Sequence, residues 1–137
     1  MKNIPIILLA VISLLWSSKV MAKDGVQDLG KPGTKTVINN DMTFVYEFNS
    51  HPAMGTLILK VKVTDKDGHP VEGLTLIGIS DMPEMGDSNS GKVKFVQNKK
   101  KDFLLPINVT MPGKWLVTVI IKKQKKVLLT GRIGFHV

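Results

Sequence analysis

The chain has 137 residues, of which 43% are hydrophobic and 6% aromatic, and a formal net charge of +8. It contains no cysteine, which excludes a disulfide, a thiolate metal ligand and a thiol nucleophile. The positive charge permits anionic partners. The few aromatic residues are not interleaved with lysines as a single-stranded nucleic-acid binder requires, so nucleic acid is not an expected partner.

The first 22 residues have the pattern of a secretory signal. Lys2 supplies a positive charge, residues 4–16 form an apolar run, and Val20-Met21-Ala22 precedes the expected cleavage point. The run is shorter than the roughly 20 residues that a membrane-spanning helix needs. We therefore expect a periplasmic or secreted protein that begins at Lys23 after cleavage. The alternative is a protein anchored by an uncleaved N-terminal segment.

The remainder of the chain is dominated by a period of two. Residues 23–35 are polar and glycine-rich and are predicted to form a flexible lead-in. From there, residues 42–49 and residues 57–64 alternate apolar with polar side chains, which is typical of strands with one buried face. The stretch Asp65-Lys66-Asp67-Gly68 predicts a hairpin turn, because Gly68 accepts a positive φ.

The strand predicted over residues 71–80 changes phase, because its leucines and isoleucines fall on opposite faces. Gly73 and Gly78 flank the change and predict a β-bulge or bend there. Further strands are predicted over residues 92–97, 103–110, 115–122 and 127–135. Seven or eight short strands at this spacing predict one all-β, Ig-like antiparallel β-sandwich over residues 36–137, with Trp115 as a core anchor.

The stretch Met82-Pro83-Glu84-Met85-Gly86 follows the 71–80 strand and opens a polar loop. Two thioethers in a segment that is expected to be exposed need a physical reason. One interpretation is that Met82 and Met85 fold back and cap the core, since methionine fills irregular gaps. The other is a soft-metal site, since thioethers favour Cu(I).

Consecutive strands joined by short connections reverse direction, and this assigns each loop to one end of the sandwich. One end, here called the methionine end, receives His51, Met54, Met82, Met85, Met111 and His136. The opposite end, the lysine end, receives Lys66, Lys99, Lys100, Lys101, Lys122, Lys123, Lys125 and Lys126. Core packing and solvation remain ordinary explanations for both groups. The presence of thioethers and imidazoles at one end nevertheless favours a metal site there.

Motifs for catalysis are absent from the sequence, which has no glycine-rich phosphate loop, HExxH pair or GxSxG elbow. Asp81, Glu84 and Asp87 offer carboxylates for an acid–base pair, but a thin sandwich of this size rarely holds a substrate pocket. We therefore expect a protein that is not an enzyme.

Several stretches together resemble the YtkA-like domain, a group of small exported bacterial Ig-like sandwiches related to the FixH-like proteins. The resemblance spans about residues 43–135, and the stretches that carry it are residues 55–63, Asp65 with 68–73, 82–86, and Phe103 with 111–115. It implies a periplasmic or envelope protein that handles a metal, particularly copper. Family members commonly carry a histidine directly after the methionine motif. In this chain Asp87 occupies the position of that histidine. Met82 and Met85 are the positions that match the metal-binding motif.

Together these patterns predict an exported, non-enzymatic envelope domain that binds Cu(I), or another soft metal, through Met82 and Met85. Met54, Met111 or His51 would complete the site. The alternative is a protein–protein interaction module of an envelope complex, without a metal, in which the methionine end is an apolar contact surface. A weak contact with an anionic membrane surface is a further candidate role, and its residues would be Lys99, Lys100, Lys101, Lys122, Lys123, Lys125 and Lys126.

Overall fold

A computed structural model of the chain describes residues 25–39, 41–86 and 89–137. The predicted signal, residues 1–22, lies outside the described residues. The strands are, in chain order, β1 (Val26–Asp28), β2 (Thr36–Asn39), β3 (Met42–Phe48), β4 (Gly55–Asp65), β5 (Leu74–Asp81), β6 (Val93–Lys94), β7 (Val96–Gln97), β8 (Phe103–Val109), β9 (Lys114–Lys123) and β10 (Lys126–His136). Within the described part of the chain, no helix is long and apolar enough to cross a membrane.

The strands form two five-stranded sheets that pack face to face. The first sheet has the order β1–β10–β9–β5–β6 and the second has the order β2–β3–β4–β8–β7. All pairs are antiparallel except β1 with β10. With β3, β4, β8 and β7 taken as strands A, B, E and D, and β5, β9 and β10 as C, F and G, this is the strand order of an immunoglobulin domain. The predicted all-β, Ig-like sandwich is confirmed.

The core lies between the two sheets and follows the period-two pattern of the sequence. The inward faces of β4 and β9 are almost fully buried along their length. On β9 these inward residues are Trp115, Val117, Val119 and Ile121, as the alternation predicts. Branched side chains suit such a pleated, buried surface. In the absence of a disulfide, the packing of these two faces holds the sheets together.

The bulge predicted beside Gly78 is wrong. β5 pairs with β9 in continuous register from Leu74 to Asp81. Gly78 points into the core, and a Cβ built there would lie 2.5 Å from Cδ2 of Leu105 and 3.1 Å from Cε1 of Phe95. The glycine therefore makes room for two large side chains from the facing side of the sandwich. The phase change in the sequence has a different cause, since Ile77 and Ile79 simply lie on the outer face of the sheet.

The single strand predicted over residues 92–97 is divided between the two sheets. β6 pairs with β5, whereas β7 pairs with β8 in the opposite sheet. Phe95 lies between them with its side chain buried, and its N–H donates to the carbonyl of Leu76 at 2.9 Å. Because the chain crosses from one sheet to the other at Phe95, each of the two strands is only two residues long.

The predicted flexible lead-in, residues 23–35, contains β1. This strand pairs in parallel with β10, with Val26 opposite Thr130. Leu29, which follows it, is 2% exposed and packs directly over Gly131. The hydroxyl of Tyr46 donates to the carbonyl of Gly30. Polar composition suggests a loose segment, but one buried leucine and one hydrogen bond attach it to the sandwich.

The glycine beneath Leu29 gives a test of this attachment. Gly131→Ala places a methyl group in the space that Leu29 occupies, so it should lower the free energy of unfolding by about 1–3 kcal/mol. Gly134→Ala on the same strand is the matched control, since its Cβ would meet Leu116 Cδ2 at an ordinary 3.5 Å. Urea denaturation measures both variants. Equal stability of the two would show that Leu29 does not pack tightly against Gly131.

Candidate functional site

The strand registers place the predicted methionine positions at one end of the sandwich. Gly55 pairs with Val109, so Met54 and Met111 leave the same end of the second sheet. Asp81 pairs with Leu116 in the first sheet, and the loop that contains Met82 and Met85 starts there. The loops that carry these methionines therefore lie at the end of the sandwich that the alternating direction of the strands predicts.

Three of these methionines line one groove, here called the methionine groove, with a volume of about 410 Å³. The groove lies at the open edge of the sandwich, between β8 on one side and β5 and β6 on the other. Its residues are Met82, Met85, Met111, Ser80, Asn89, Ser90, Val93, Leu105, Pro106, Asn108, Thr110 and Trp115. Thioethers and aromatic or aliphatic side chains therefore meet a set of hydroxyl and amide groups in one concave site.

Met82 is part of the hydrophobic core, with 7% of its surface exposed. A Cβ at Gly113 would approach Met82 Cε to 3.1 Å, so the turn before β9 presses closely on this side chain. The core-capping interpretation therefore holds for Met82. Met85 differs, because it is 48% exposed at the end of a 3-10 turn over Pro83–Met85. The turn closes with the Met85 N–H donating to the Met82 carbonyl at 2.9 Å.

Met111 reaches the groove from the loop between β8 and β9. The indole Nε1–H of Trp115 donates to the carbonyl of Met111 at 3.0 Å. The indole also stacks on Phe135, with ring centroids 6.2 Å apart and planes 6° from parallel. A buried aromatic at the start of this strand that bonds backward to the preceding loop occupies the place of the tyrosine corner of Ig domains. It holds the backbone of Met111 while leaving that residue 40% exposed.

His51 and Met54 share the methionine end but not the methionine groove. His51 lies on the β3–β4 connection and lines a shallow groove with Pro32, Gly33 and Phe48. Met54 is 55% exposed and is not among the groove-lining residues. Strand direction determines the end at which a loop lies but not its position along the sheet. His51 lies toward the β2–β3 edge, whereas Met54 directly precedes Gly55 of β4, which pairs with Val109 of β8.

The polar rim of the groove was not predicted. Asn108 and Thr110 lie two residues apart at the end of β8, whereas Asn89 comes from the loop after β5, and only packing of the two sheets brings Asn89 next to them. One sequence signal was available, because Pro106 lies within the strand predicted over residues 103–110. Proline within a strand indicates a sheet edge, and a groove needs such an open edge.

A second group of possible ligands lies at the opposite end. Oxygen or nitrogen atoms of Asp65, Asp67 and His69 lie within 4.8 Å of one another. The geometry has a structural explanation, because Asp65 Oδ1 accepts the backbone N–H groups of Asp67 at 2.9 Å and His69 at 3.0 Å. These bonds close the predicted hairpin turn in the manner of an Asx turn. The N–H of His69, more than any other group, holds the pKa of Asp65 below its usual value of 3.8.

The two lysine-rich turns predicted for the lysine end both lie there, one on each sheet. Lys99 and Lys100 line a shallow groove with Lys60 and Lys62 of β4, beside the buried Asp102. Lys122 to Lys126 form the β9–β10 hairpin of the other sheet. Lys101 is 3.4 Å from a carboxylate oxygen of Glu72, an exposed pair that contributes little to stability. The sequence did not associate the two β4 lysines with this end.

Fold and site together define a small Ig-like β-sandwich with a methionine-lined groove at its open edge. Comparison with protein-family models finds no match, and a search of curated proteins finds no similar sequence. Among solved structures, FetP of uropathogenic E. coli strain F11 is similar, with 12% identity and a TM-score of 0.48 over 76% of this chain and 91% of that one. An engineered protein from the Northeast Structural Genomics Consortium is also similar, with 18% identity and a TM-score of 0.38 over 66% of this chain and 19% of that one. At these values, neither likeness assigns a function.

The Asp65 turn predicts an effect of acid on stability. The pKa of the Asp65 carboxyl group is lower in the folded protein than its unfolded value near 3.8. The ionised carboxylate therefore stabilises the fold at pH values above 3.8. This contribution is lost as the pH falls through the folded-state pKa. Asp65→Asn keeps an acceptor oxygen but removes the titration, so its stability should vary less than that of the wild type below about pH 4. Denaturation at several pH values measures this. A wild-type Asp65 that titrates by NMR at or above 3.8 would contradict the assignment.

Proposed function

We propose that this protein is an exported, non-enzymatic envelope domain that binds Cu(I), or a related soft metal ion, in the methionine groove. The observation that carries the proposal is the convergence of Met82, Met85 and Met111, from two loops, on one groove. Soft thioether ligands select Cu(I) over harder ions. The sequence resembles the YtkA-like domain at Met82 and Met85, but no family model matches the chain, so the proposal depends on the groove.

The exposure of the three methionines supports a division of roles. Met82 is held by the core and fixes one sulfur, whereas Met85 and Met111 are half exposed and retain freedom to rotate toward an ion. The proposed ligand set is therefore Met82, Met85 and Met111. The other candidates, His51 and Met54, do not line the groove, and His51 would have to reach the ion from the β2–β3 edge.

Export is proposed on the sequence of residues 1–22, which has the charged, apolar and cleavage regions of a secretory signal. A chain without cysteine has no thiol to oxidise in such a compartment, and its fold depends on core packing alone. Copper handling by a thioether site is compatible with these conditions, because methionine binds the ion without an exposed thiol.

Titration of the purified protein with Cu(I) against a competing chelator tests the metal proposal. Met82→Leu with Met85→Leu removes two of the three sulfurs and nearly conserves volume, so stability should change by less than about 1.5 kcal/mol per site. The affinity for Cu(I) should fall at least about tenfold. Loss of a residue that only hydrogen-bonds to a metal ligand already has an effect of this size.

Met54→Leu is the matched control, since Met54 is an exposed methionine at the same end but outside the groove. It should leave Cu(I) affinity unchanged. Equal binding by the wild type and the double variant would remove the metal proposal.

The second candidate is an interaction module of an envelope complex that functions without a metal. Met85 and Met111 favour it, because they leave large, adaptable apolar surface exposed beside a concave site. Methionine-rich surfaces suit partner binding, since their flexible side chains repack against different surfaces. Under this proposal, Cu(I) is not required and the groove itself receives part of another protein.

We also propose a weak contact between the lysine end and anionic membrane surfaces. Four lysines, Lys60, Lys62, Lys99 and Lys100, line one shallow groove there, and the Lys122–Lys126 hairpin adds further positive charge. Each basic residue near an anionic bilayer contributes about 1 kcal/mol and acts only within a Debye length. Glu47 and Asp102, which lie beside these lysines, reduce the net effect.

Co-sedimentation with vesicles tests the membrane contact. Binding to vesicles that contain anionic lipid is expected at low salt and should disappear at raised salt, and neutral vesicles should bind none of the protein. Lys99→Gln with Lys100→Gln should weaken the binding, because both residues line the shared groove. Failure to bind anionic vesicles at low salt would leave these lysines as a solubilising surface.

A further inference from the structure

We infer that the methionine groove, together with the free edge of β8, binds an extended peptide segment of a partner protein by strand addition. This inference rests on the interaction-module proposal and specifies the form of the partner. An added strand gains affinity from main-chain hydrogen bonds and specificity from pockets that take alternate side chains. Both requirements are met along residues 105–110.

The first observation is an incompletely paired strand. On one side, β4 pairs with β8 along its whole length, from Phe103 to Val109. On the other side, β7 pairs only with Phe103 and Leu104. In the described part of the chain, no strand pairs with residues 105–109 on that side. An Ig sandwich normally has a longer strand D here, and this one is cut short by the crossing at Phe95.

The direction of the free backbone groups follows from the pairing that does exist. The N–H of Asn98 donates to the carbonyl of Asp102 at 2.9 Å, so the backbone of Asp102 faces the β7 side. In antiparallel pairing every second residue faces the same neighbour, which places Pro106 and Asn108 on the open side. Pro106 fits this position, because a proline lacks the N–H that a paired residue would need. The carbonyl of Pro106 and both backbone groups of Asn108 are therefore available to an added strand.

The side-chain surface next to this edge suits the inward side chains of such a strand. Leu105, Met82 and Trp115 form an apolar floor, and Val93 lies on the opposite wall. A strand along β8 would turn alternate residues toward this floor and the intervening residues toward solvent. The groove therefore favours a segment with small or medium apolar residues at every second position.

The opposite wall adds a preference in charge. Lys92 and Lys94 flank Val93 and are exposed. Acidic residues near the ends of the bound segment would complement them, which steers association and fixes register more than it adds affinity. The partner we infer is accordingly an extended, alternating apolar segment with acidic flanks.

Among the described residues, which omit 87 and 88, the neighbouring loop does not cover this edge. Ser90 is held on the β5 side, where its N–H donates to the Ser80 carbonyl at 2.8 Å and its hydroxyl accepts the Ser80 N–H at 2.9 Å. Asn89 forms a bridge with Asp81, also on β5. Asn89 and Ser90 thus form a wall of the groove, and neither of them pairs with the β8 backbone.

The probe for the test is the peptide Glu-Val-Thr-Val-Thr-Val-Glu, titrated into the purified protein by calorimetry in the presence of a Cu(I) chelator. Asn108→Pro removes the free N–H without removing a donor to β4, and affinity should fall about tenfold or more. Asn108→Ala is the matched control, because it also lacks the amide side chain but keeps the backbone N–H, so it should bind the probe about tenfold more tightly than Asn108→Pro. Hydrogen exchange should show the amide of Asn108 protected only when peptide is present.

A second measurement keeps the test decisive if Asn108→Pro does not fold. Two forms of the probe are prepared, one with N-methyl groups on its odd-numbered residues and one with N-methyl groups on its even-numbered residues. Only one of the two sets of N–H groups would face β8, so one form should lose binding and the other should keep it. No binding of the probe by the wild type, equal binding by the folded Asn108→Pro variant, or undiminished binding of both methylated forms would overturn strand addition.

The metal proposal is separable from this inference. Asn108→Pro should keep wild-type Cu(I) affinity, because it removes a backbone N–H and leaves the three thioethers in place. The Met82→Leu and Met85→Leu double variant should still bind the probe, because leucines preserve the apolar floor. Each proposal can therefore fail without the other. Loss of probe binding in the double variant, with wild-type stability, would contradict a site based on the β8 backbone.

Discussion

Burial of Phe95 between the sheets is the constraint on which the rest of the structure depends. The chain must cross from the β5 sheet to the β8 sheet at this residue, and its ring occupies space that a side chain at Gly78 would fill. Packing of this kind is stringent, because a core at native density has little room for an added methyl group. The crossing limits β6 and β7 to two residues each, and the sandwich stays open beside β8.

The open edge explains why a groove exists on a domain of this size. A thin sandwich seldom encloses a cavity, because side chains from the two inner faces interdigitate and fill the space between the sheets. Here no strand of residues 25–39, 41–86 or 89–137 closes the edge along residues 105–109, and loops from the methionine end border the gap. Trp115 links the two features, since it belongs to the core and also bonds to the loop that carries Met111.

The methionines have two physical roles that the groove combines. Met82 is a packing residue pressed by Gly113, and Met85 and Met111 present flexible thioethers to solvent. The same arrangement suits a soft ion, which needs sulfurs able to converge, and an apolar peptide side chain, which needs a surface able to adapt. The two proposals involve different atoms of the site, the thioether sulfurs for copper and the β8 backbone for a peptide.

The sequence by itself determined the strands with one buried face, the hairpin turn at Asp65 and the end of the sandwich at which each loop lies. These depend on local alternation and on reversal of direction, and both are properties of neighbouring residues. Tertiary structure alone decided that Leu29 joins the core, that residues 92–97 divide between two sheets, and that Met111 shares a groove with Met82 while His51 does not. The physical reason is that period-two patterns specify which face of a strand is buried, whereas the neighbour on either side of a strand depends on contacts between residues far apart in the chain.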